Sequence, residues 1–580
     1  MQYRYIKTVS ELEPFLPMLQ AEKVLAVDTE TTGLDPHQNR LRLLQIAVKN
    51  QPVFVIDCDF FLPVGKEILN QLFGTNAVKV FQNAKFDLAF LYAAGIYIAL
   101  PLFDTMLAAG VLHSSLGLGR VNLAELSAFF LKETLSKEEQ VSDFSGVLRP
   151  EQLLYAAKDA EVLLRLREAM IPYIKQYALV EVAELEFSAV RAIFMMEYSG
   201  IALNAIKWDA LLRVQEARRE AALAIIYTYI PKPPVQPTLF GEEISYGENL
   251  DSPKQLIGIL AKQGIVVENV SRHTLLSFAE NPLVAALLEY RSANKLLSSF
   301  LYPMPKLRNK KTGRLHPRYM QIGAWSGRMS CSNPNIQQIP REKAFRECFM
   351  APPGRVFIVA DYSQIELRVM AEIIGEKRMI RAYQAGRDLH QLTAMLTLEK
   401  PAEQITYEER QAAKAINFGL IYAMQAVGLQ GYAKDTYGVE MSLAEAERFR
   451  ERFFREYKDI AAWHARLQRN PPKEVRTLAG RRCVFTERAG LSAFTNTPVQ
   501  GSAADIMKKA MALLMMRISW EEAYPVAVVH DEILLEVPME KEKEYTRLLQ
   551  EVMIEAGEYY LKEVPIVVEA QAGKTWASKN

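Results

Sequence analysis

Short apolar segments alternate with helical ones in the first part of the chain. Strands are predicted in KVLAVDTE, RLLQIAVK, PVFVID and AVKVFQ, and a helical pattern follows in FDLAFLYAAG. Such alternation is typical of an α/β domain. Over about 136–190 the apolar positions then take on a helical spacing.

A proline-rich segment, PKPPVQP, interrupts the helical pattern just after Ile230. Because proline donates no backbone hydrogen bond, this segment is predicted to be a linker or an exposed loop. The chain restarts with NLDSPKQLIGIL, where Ser252 is placed to cap a helix that begins at Pro253. Further on, VFIVADYS predicts a buried strand, many helices follow, and PVAVVHDEILLEVP predicts two strands joined at HDE.

Composition is that of an ordinary globular protein. The chain has 580 residues, 50% of them hydrophobic and 24% charged, and at about 150 residues per domain it should form roughly four domains or subdomains. It has no unbroken apolar run of the ~18 residues that cross a bilayer, no signal peptide, and four scattered cysteines without a CxxC pair. We therefore expect a soluble protein of a reducing compartment, with no membrane partner.

A first group of acidic residues follows the predicted strands. Asp28 and Glu30 stand two apart on one strand, so both carboxylates leave the same face and repel each other unless a cation lies between them. This pair alone fits a solvated strand end equally well. Asp87 follows a later strand, and Tyr155 and Asp159 stand four apart on one helix face. Together these residues predict a cluster of acids.

The three motifs DTE, NxxFD and YxxxD resemble, in order, those of the DEDD exonuclease superfamily of the proofreading type, over residues 1–175. The resemblance implies an α/β domain with an RNase H-like mixed sheet and 3′ to 5′ exonuclease activity. It implies that Asp28, Glu30, Asp87 and Asp159 bind two divalent metals, magnesium or manganese, and that Tyr155 orients the attacking water. Asn83 and Asp104 are expected to have supporting roles only.

A second group of acids lies at the later strands. Asp361 ends the strand in VFIVADYS, and Asp531 and Glu532 lie at the predicted hairpin HDE. Between them runs a helix with four side chains spaced by four, which form a slanting stripe suited to a phosphate tail, a sugar and a base; they are Arg410, Lys414, Phe418 and Tyr422. Without the flanking acids, a charged helix start with two core aromatics would be the better interpretation.

Five motifs in this part are similar to those of family A DNA polymerases, of the bacterial DNA polymerase I type and like its large fragment, over about 190–580. They are SGRMSCSNPNIQQIP, DYSQIELR, RxxxKxxxFGxxY, NTPVQGSAADIMKKA and VHDE. The resemblance implies a right-hand polymerase domain at 176–580, mostly α with an antiparallel palm sheet. The thumb is expected at about 245–320, the palm at about 321–376 and 495–580, and the fingers at about 377–494.

The same resemblance implies roles for individual residues. Asp361 and Asp531 would bind two magnesium ions, with manganese as an alternative, and Glu532 would lie beside them. The predicted nucleotide contacts are Arg410, Lys414, His390, Phe418, Tyr422, Glu366 and Gln364. The predicted DNA contacts are Arg328, Arg341, Asn496, Gln500 and His530. Because a lone histidine more often has a structural role, the roles predicted for His390 and His530 depend on their positions in the motifs alone.

Two of these residues bear on substrate choice. Glu366 occupies the steric-gate position, where its side chain would crowd a ribose 2′-OH, so a DNA product is expected. Phe418, where some relatives carry tyrosine, implies discrimination against dideoxynucleotides. Of the departures from the usual motifs, Ala423 and Ser326 put no contact in doubt, whereas Ser492 replaces an arginine that faces DNA in many relatives.

Charge is unevenly distributed along the chain. The totals, 69 Lys and Arg against 68 Asp and Glu, give +1 and no sign of a nucleic-acid partner. Residues 301–346, however, contain ten basic residues and one acid, with Tyr302, Tyr319 and Trp325 between them, and the rest of the chain is −8. This segment, with its predicted exposed turn NKKTGR, suits a track for DNA phosphates.

The sequence thus predicts a DNA polymerase with a proofreading exonuclease, acting on primer-template DNA and dNTPs as a monomer. Because the chain begins with the exonuclease motifs, we expect no 5′ nuclease domain and no removal of flaps or RNA primers. A cytoplasmic location in a bacterial or phage-infected cell is expected, with an organelle as the alternative; partners in processivity stay open. Two other interpretations are a single-subunit RNA polymerase, disfavoured by Glu366, and a non-catalytic nucleic-acid-binding relative, disfavoured by the intact acids.

Overall fold

The structure is a computed structural model that describes residues 2–119, 121–135, 142–232, 235–237, 243–245, 249–486 and 488–579. Within these ranges, no helix combines the length and the apolar character that a membrane crossing requires.

The first part of the chain forms a mixed six-stranded sheet covered by helices. Its strands are β1 (Tyr3–Ile6), β2 (Val24–Thr31), β3 (Leu41–Ala47), β4 (Val53–Asp57), β5 (Val78–Phe81) and β6 (Leu102–Asp104). Its helices are α1 (Val9–Leu12), α2 (Leu16–Ala21), α3 (Cys58–Phe73), α4 (Ala84–Ala93), α5 (Thr105–Leu116), α6 (Leu123–Leu126) and α7 (Pro150–Gln176). The strand order is β1-β4-β3-β2-β5-β6, with β3 antiparallel to both neighbours and the other pairs parallel. The predicted α/β domain with a mixed sheet is confirmed.

A helical segment with a small hydrophobic core of its own follows. Its elements are α8 (Val180–Ser199), β7 (Ile201–Ala202), α9 (Ala205–Tyr229), β8 (Val235–Pro237), β9 (Glu243–Ser245), α10 (Pro253–Lys262), α11 (Arg272–Leu276), α12 (Pro282–Leu296) and α13 (Pro303–Lys306). Ile226, Ile259, Leu260 and Leu287 are buried in a core that is separate from the main one. The end of α9 and helices α10 to α12 therefore pack as a unit of their own.

Two local predictions for this segment need correction. Within PKPPVQP, predicted to be loop, Val235–Pro237 pairs with Glu243–Ser245 as a short antiparallel ribbon, and residues 233–234 lie outside the described ranges. Such a two-stranded edge tolerates proline because its second side needs no partner. Helix α10 begins at Pro253 as predicted, but the Ser252 side chain makes no capping hydrogen bond.

The stretch predicted as helical from about 136 lies in an earlier part of the chain. Its residues 136–141 are outside the described ranges, and the long helix α7 begins at Pro150.

The remaining chain builds a four-stranded antiparallel sheet, the palm sheet, in the order β16-β17-β13-β18. These strands are β13 (Arg355–Tyr362), β16 (Tyr524–Val529), β17 (Glu532–Pro538) and β18 (Val568–Gly573), and shorter ones are β10 (Arg314–Leu315), β11 (Arg318–Met320), β12 (Ser330–Ser332), β14 (Glu474–Arg476) and β15 (Arg482–Val484). Strand β13 reads as a continuous apolar run because residues 356–360 are all buried.

Helices surround the palm sheet and form a large excursion between β13 and β16. They are α14 (Lys343–Arg346), α15 (Ile365–Ile374), α16 (Lys377–Gln384), α17 (Leu389–Leu398), α18 (Tyr407–Ile421), α19 (Ala426–Tyr437), α20 (Leu443–Glu456), α21 (Lys458–Arg469), α22 (Leu491–Arg517) and α23 (Glu542–Tyr560). Strands β16 and β17 meet at the predicted tight turn, where His530 has a left-handed backbone with φ 58°. The predicted antiparallel palm sheet within a mostly helical domain is confirmed.

Candidate active sites

The fold brings together the four acids of the first cluster, Asp28 and Glu30 on β2, Asp87 on α4 and Asp159 on α7. Burial and the charges of Asp87, Glu30 and Asp159 raise the pKa of Asp28 well above its ordinary value. Burial, followed by the charges of Asp159 and Asp87, raises the pKa of Glu30 to about 8. Burial likewise raises the pKa of Asp87 to about 8. The four carboxylates are therefore close enough to repel one another.

Two neighbouring hydroxyls orient carboxylates of this cluster. The Thr29 hydroxyl donates to Oδ1 of Asp87 at 2.6 Å, across from β2 to α4. The Tyr155 hydroxyl hydrogen-bonds to Asp159, one turn along α7. Burial raises the pKa of Tyr155 above its ordinary value, and it raises that of Asp159 to about 6 against the effect of this bond. Tyr155 is thus a hydroxyl donor at the cluster.

Asp104 has a structural role that the sequence did not specify. Its buried carboxylate accepts hydrogen bonds from the backbone N–H groups of Asn83 and Ala84 at the start of α4, at 3.2 and 2.7 Å. It also accepts from Met106 and Leu107 at the start of α5, at 2.8 and 3.0 Å. One carboxylate therefore caps both α4 and α5, and it fixes the start of α4, the helix that carries Asp87.

The donor set of the first cluster fits divalent cations. All its candidate ligand atoms are carboxylate oxygens, the type that magnesium and manganese prefer. Burial raises the pKa values of the four acids, and for Asp28 and Glu30 the charges of the neighbouring carboxylates add to it, so divalent cations would favour the charged forms. In the described part of the chain, no three His, Cys, Asp or Glu side chains already form a closed set of metal ligands.

The acids of the second group lie at one end of the palm sheet. Asp361 is near the end of β13, opposite Glu532 on β17 and Glu569 on β18. The backbone N–H of Tyr362 donates to the carbonyl of Asp531 at 3.1 Å, which ties the β16–β17 turn to β13. Burial raises the pKa of Asp531 above its ordinary value. Asp361 and Asp531 are both half-buried, and they lie on neighbouring segments.

Glu532 is engaged within the protein. Its carboxylate accepts a hydrogen bond from the Trp576 indole N–H and pairs with the Arg346 guanidinium at 3.2 Å. The guanidinium lies 4.7 Å from the centre of the Trp576 ring. Glu532 is the first residue of β17, whereas Asp531 lies in the turn before it. Glu532 thus joins the carboxyl-terminal segment to the palm sheet, and its predicted place beside the metal site remains a prediction.

Helix α18 places two cations near the palm acids. Arg410 Nε lies 2.6 Å from Oδ2 of Asp388, and Lys414 is one turn further along. Burial lowers the pKa of Lys414, and the positive charges of Arg410 and Arg341 lower it further. The negative charges of Asp388 and Asp531 partly oppose this shift. Lys414 is therefore an electrostatic neighbour of Asp531 at the palm turn.

The stripe is shorter than predicted at its far end. Helix α18 ends at Ile421, and Tyr422 lies just beyond it with φ −93° and ψ 23°. Ala423 follows with a left-handed φ of 63°. The chain turns here because residues 422 and 423 leave the helical conformation, so the Tyr422 ring is held by tertiary contacts rather than by the helix.

Those contacts join three residues that the sequence had assigned to separate roles. The Tyr422 hydroxyl donates to one carboxylate oxygen of Glu366, and the Arg328 guanidinium pairs with the other. Glu366 is in the first turn of α15, just after the left-handed Gln364, whose Oε1 accepts from the Tyr383 hydroxyl at 3.1 Å. No sequence spacing signals the contact of Arg328 or Tyr422 with Glu366, because 38 and 56 residues separate the partners.

His390 is 2% exposed at the start of α17. Its Nδ1 lies 3.0 Å from Nδ2 of Asn417, its ring centre lies 5.9 Å from that of Phe418, and burial lowers its pKa to about 4. The ring is thus a satisfied neutral group, and the predicted triphosphate contact would require it to become exposed.

The predicted DNA-contact residues fall into two places. On α22, Gln500 Nε2 donates to Asn496 at 3.1 Å, and Asn496 Nδ2 donates to Ser492 at 3.0 Å, so the three form a polar row along one helix face. Near the palm acids, His530 and Arg341 are exposed, and their charges interact with that of Asp531.

The basic segment 301–346 is less available to a ligand than its charge suggests. Arg314 pairs with the buried Glu536, and Arg346 pairs with Glu532, leaving 15% and 7% of the two arginine side chains exposed. Tyr319 is 1% exposed. Two of the ten basic side chains are thus paired with acids of strand β17, and the track for DNA phosphates stays a prediction. The NKKTGR turn is confirmed as an exposed turn, with Lys310 and Lys311 exposed.

Comparisons with known proteins assign the two parts of the chain to families. The family model for DNA polymerase family A matches residues 241–578, and that for 3′-5′ exonuclease matches residues 3–175. DNA polymerase I of Aquifex aeolicus is 35% identical, over 99% of this chain and 100% of the relative. DNA polymerase I of Pseudomonas aeruginosa is 31% identical, over 99% of this chain and 66% of the relative. The chain thus spans all of one relative and about two thirds of the other.

A solved structure of the POL domain of Pol1 from M. smegmatis, in complex with DNA primer-template and dNTP, has the same fold. Its TM-score is 0.82 at 24% identity, and the likeness covers 99% of this chain and 100% of that one. Polymerases and exonucleases of these two families depend on divalent metals. The family predicted from the motifs is confirmed: the chain belongs to DNA polymerase family A, and it joins a 3′-5′ exonuclease to a template-directed DNA polymerase.

Proposed function

We propose that Asp361 and Asp531 hold two magnesium ions and that synthesis of DNA on a primer-template occurs there. The observation that carries the proposal is the position of these two acids on neighbouring segments, with Lys414 of α18 as an electrostatic neighbour. When bound, the metal ions would lower the pKa of the primer hydroxyl and neutralise charge on the phosphate oxygens. The relative from M. smegmatis, solved with primer-template and dNTP, supports the same ligands for this chain.

Arg410 and Lys414 would bind the triphosphate of the incoming nucleotide. The two side chains are one turn apart on α18, and the charge of Arg410 lowers the pKa of Lys414. An anionic triphosphate would relieve this repulsion, and it would compete with Asp388 for Arg410. The cations would then stabilise the negative charge that spreads over the phosphate oxygens in the transition state.

Glu366 would exclude ribonucleotides. Its carboxylate is fixed from two sides, by Tyr422 and by Arg328. A fixed side chain resists displacement by a 2′-OH better than a mobile one, because moving it would break both contacts. Phe418, one turn before Tyr422, would border the sugar from α18 and disfavour dideoxynucleotides.

At the first cluster, Asp28, Glu30, Asp87 and Asp159 would bind two divalent ions, and Tyr155 would orient the attacking water. The Tyr155 hydroxyl already bonds to Asp159, which supports this role. The cluster would remove 3′-terminal nucleotides of the primer.

We propose the corresponding division of the chain, with the exonuclease at 1–175 and the polymerase domain at 176–580. The separate core around Ile226 and Leu287 supports a thumb over about 245–320. The palm would comprise about 321–376 and 495–580, and the fingers about 377–494. We further propose a monomer, located in the cytoplasm.

Separation of the two activities tests this assignment. Asp531→Asn should abolish primer extension with dNTPs and magnesium while 3′ end removal continues. Asp28→Asn should abolish end removal while extension continues, so the activity that each variant retains shows that this variant is folded. Extension by Asp531→Asn at the wild-type rate, or end removal by Asp28→Asn at the wild-type rate, would show that the assigned acids do not carry the chemistry.

A further inference from the structure

Four buried charges meet beneath the loop that carries Arg328. They are Glu186 on α8, Arg481 between β14 and β15, and Asp505 and Lys508 on α22, and each is 3% exposed or less. Arg481 Nε and Nη2 donate to Oδ1 of Asp505 at 3.0 and 2.6 Å. Lys508 Nζ lies 2.5 Å from Oε1 of Glu186, which also pairs with Arg481. We call these four residues the buried quartet.

The buried quartet is balanced in charge, and its members are linked by hydrogen bonds. Its two anions and two cations cancel, and despite burial the charges of Lys508 and Arg481 hold the pKa of Glu186 below its ordinary value. The Thr477 hydroxyl donates to Oδ2 of Asp505 at 2.6 Å. Buried ion pairs often contribute little net stability compared with apolar side chains, so their use in fixing one arrangement has to be argued from what they touch.

What the quartet touches is the 321–328 loop, at both ends. At the first end, Gln321 Nε2 donates to the Glu186 carbonyl at 2.7 Å and to Oε2 of its carboxylate at 2.6 Å. At the other end, Gly327 lies directly on the Arg481 guanidinium, since a Cβ at Gly327 would be 2.3 Å from Nε. Gly327 has a φ of 92°, which favours glycine at this close approach.

The loop is closed upon itself between these two anchors. The backbone N–H groups of Gly323 and Ala324 donate to the carbonyl of Arg328, at 2.9 and 3.0 Å. The backbone of Arg328 is thereby fixed relative to the quartet, while its side chain reaches out to Glu366. A continuous set of contacts thus runs from the buried quartet to the carboxylate that Tyr422 also holds.

We infer that the buried quartet is a set of positioning residues for sugar discrimination, which acts through Arg328 on Glu366. The inference rests on the proposed function, since it assumes that Glu366 excludes ribonucleotides. The four charges are buried, and the contacts that lead from them to Arg328 and Glu366 run through the 321–328 loop. Loosening the quartet frees Arg328 to move, and the carboxylate of Glu366 then loses one of its two restraints.

The test compares incorporation of a dNTP with that of the matching rNTP, as a ratio of kcat/KM values. In Asp505→Asn this ratio should fall by about tenfold, the size expected when a hydrogen bond to a charged group is lost. Thr477→Val, which removes one hydroxyl and no buried charge, should lower it less but in the same direction and is expected to fold. The control is Glu536→Gln, a buried acid bonded to Arg314 and Arg355 at the opposite end of β17, which should leave the ratio unchanged.

Two further variants separate this inference from the proposed function. Glu366→Ala measures the gate itself; if its ratio equals that of the wild type, the gate and the inference both fail. If Glu366→Ala lowers the ratio while Thr477→Val and folded Asp505→Asn do not, only the inference is overturned. In an Arg328→Ala background, Asp505→Asn should lower the ratio no further, because the contact between Arg328 and Glu366 is already absent. A full additional fall would also overturn the inference.

Discussion

One oxygen of the Glu366 carboxylate accepts from the Tyr422 hydroxyl, and the other pairs with Arg328. A carboxylate held from two sides would keep its place when a nucleotide arrives, as the proposed steric gate requires. Sequence could assign a role to each residue from its motif. It could not predict that the three side chains meet, since their contacts span 38 and 56 residues.

Replacement of Glu366 by alanine should raise ribonucleotide incorporation. The side chain that crowds the 2′-OH is removed, and discrimination built on the size of one group is worth about 10- to 200-fold. Single-nucleotide incorporation with matched dNTP and rNTP measures the effect. Arg328→Lys, which keeps the positive charge, should cause a smaller change, and unaltered discrimination in Glu366→Ala would contradict the gate.

The acids of the first cluster should make the exonuclease depend on pH. Burial raises the pKa of Glu30 and of Asp87 to about 8 and that of Asp159 to about 6, and metal binding needs the deprotonated carboxylates. At a fixed, subsaturating magnesium concentration, end removal should therefore rise between about pH 6 and 8. Saturating magnesium should shift this rise to lower pH, because bound metal favours the charged form.

The same raised pKa values have the opposite effect on stability. In the absence of metal, the folded state holds protons that the unfolded state has lost, so the free energy of unfolding should fall as pH rises from about 4 to 8. Thermal unfolding with EDTA measures this slope. Asp87→Asn should flatten it, and an equal slope in that variant would argue against the clustering of the acids.

At the scale of elements, helix starts fix the first site. Asp104 caps α4 and α5 together, through four backbone N–H groups. The strand pattern predicted β2, β3 and β4 because alternation and apolar runs are local signals. The shared cap was not predictable beyond a supporting role, because it depends on how two helices meet.

Asp104→Ala should destabilise the protein and impair one activity. Loss of the two caps should lower the free energy of unfolding by about 1–2 kcal/mol for each helix. Displacement of α4 would move Asp87, so end removal should fall while primer extension is retained. Asp104→Asn keeps a side-chain oxygen acceptor and serves as the matched control. If Asp104→Ala lost extension and end removal to the same degree, α4 would not be the element affected.

At the scale of the whole molecule, the net charge of +1 conceals two opposite distributions. The segment 301–346 is strongly basic in sequence, but Arg314 and Arg346 form ion pairs with Glu536 and Glu532 of strand β17. The sequence gives the number of charges but not which of them are paired. Pairing depends on contacts between distant parts of the chain, such as that of Arg314 with Glu536, which are 222 residues apart. The motifs, in contrast, predicted the two families and their order along the chain, since each motif is short and contiguous.

Exposed lysines of this segment should contribute to DNA binding through phosphate contacts. Replacing Lys310 and Lys311 by alanine should weaken binding to primer-template and reduce the slope of log affinity against log salt by about two. Lys543→Ala, an exposed lysine on α23, should leave the slope unchanged. An unchanged slope in the double variant would remove the NKKTGR turn from the DNA-binding surface.

One chain should synthesise DNA from a template and correct the primer end at a second site. Extension of a primer with a mismatched 3′ nucleotide, with four dNTPs and magnesium, tests both activities in one measurement. The wild type should replace the mismatch and extend with template-directed sequence, whereas Asp28→Asn should extend without removing it. A wild type that did not lengthen the primer, or that kept the mismatch as often as Asp28→Asn, would contradict this assignment of two sites.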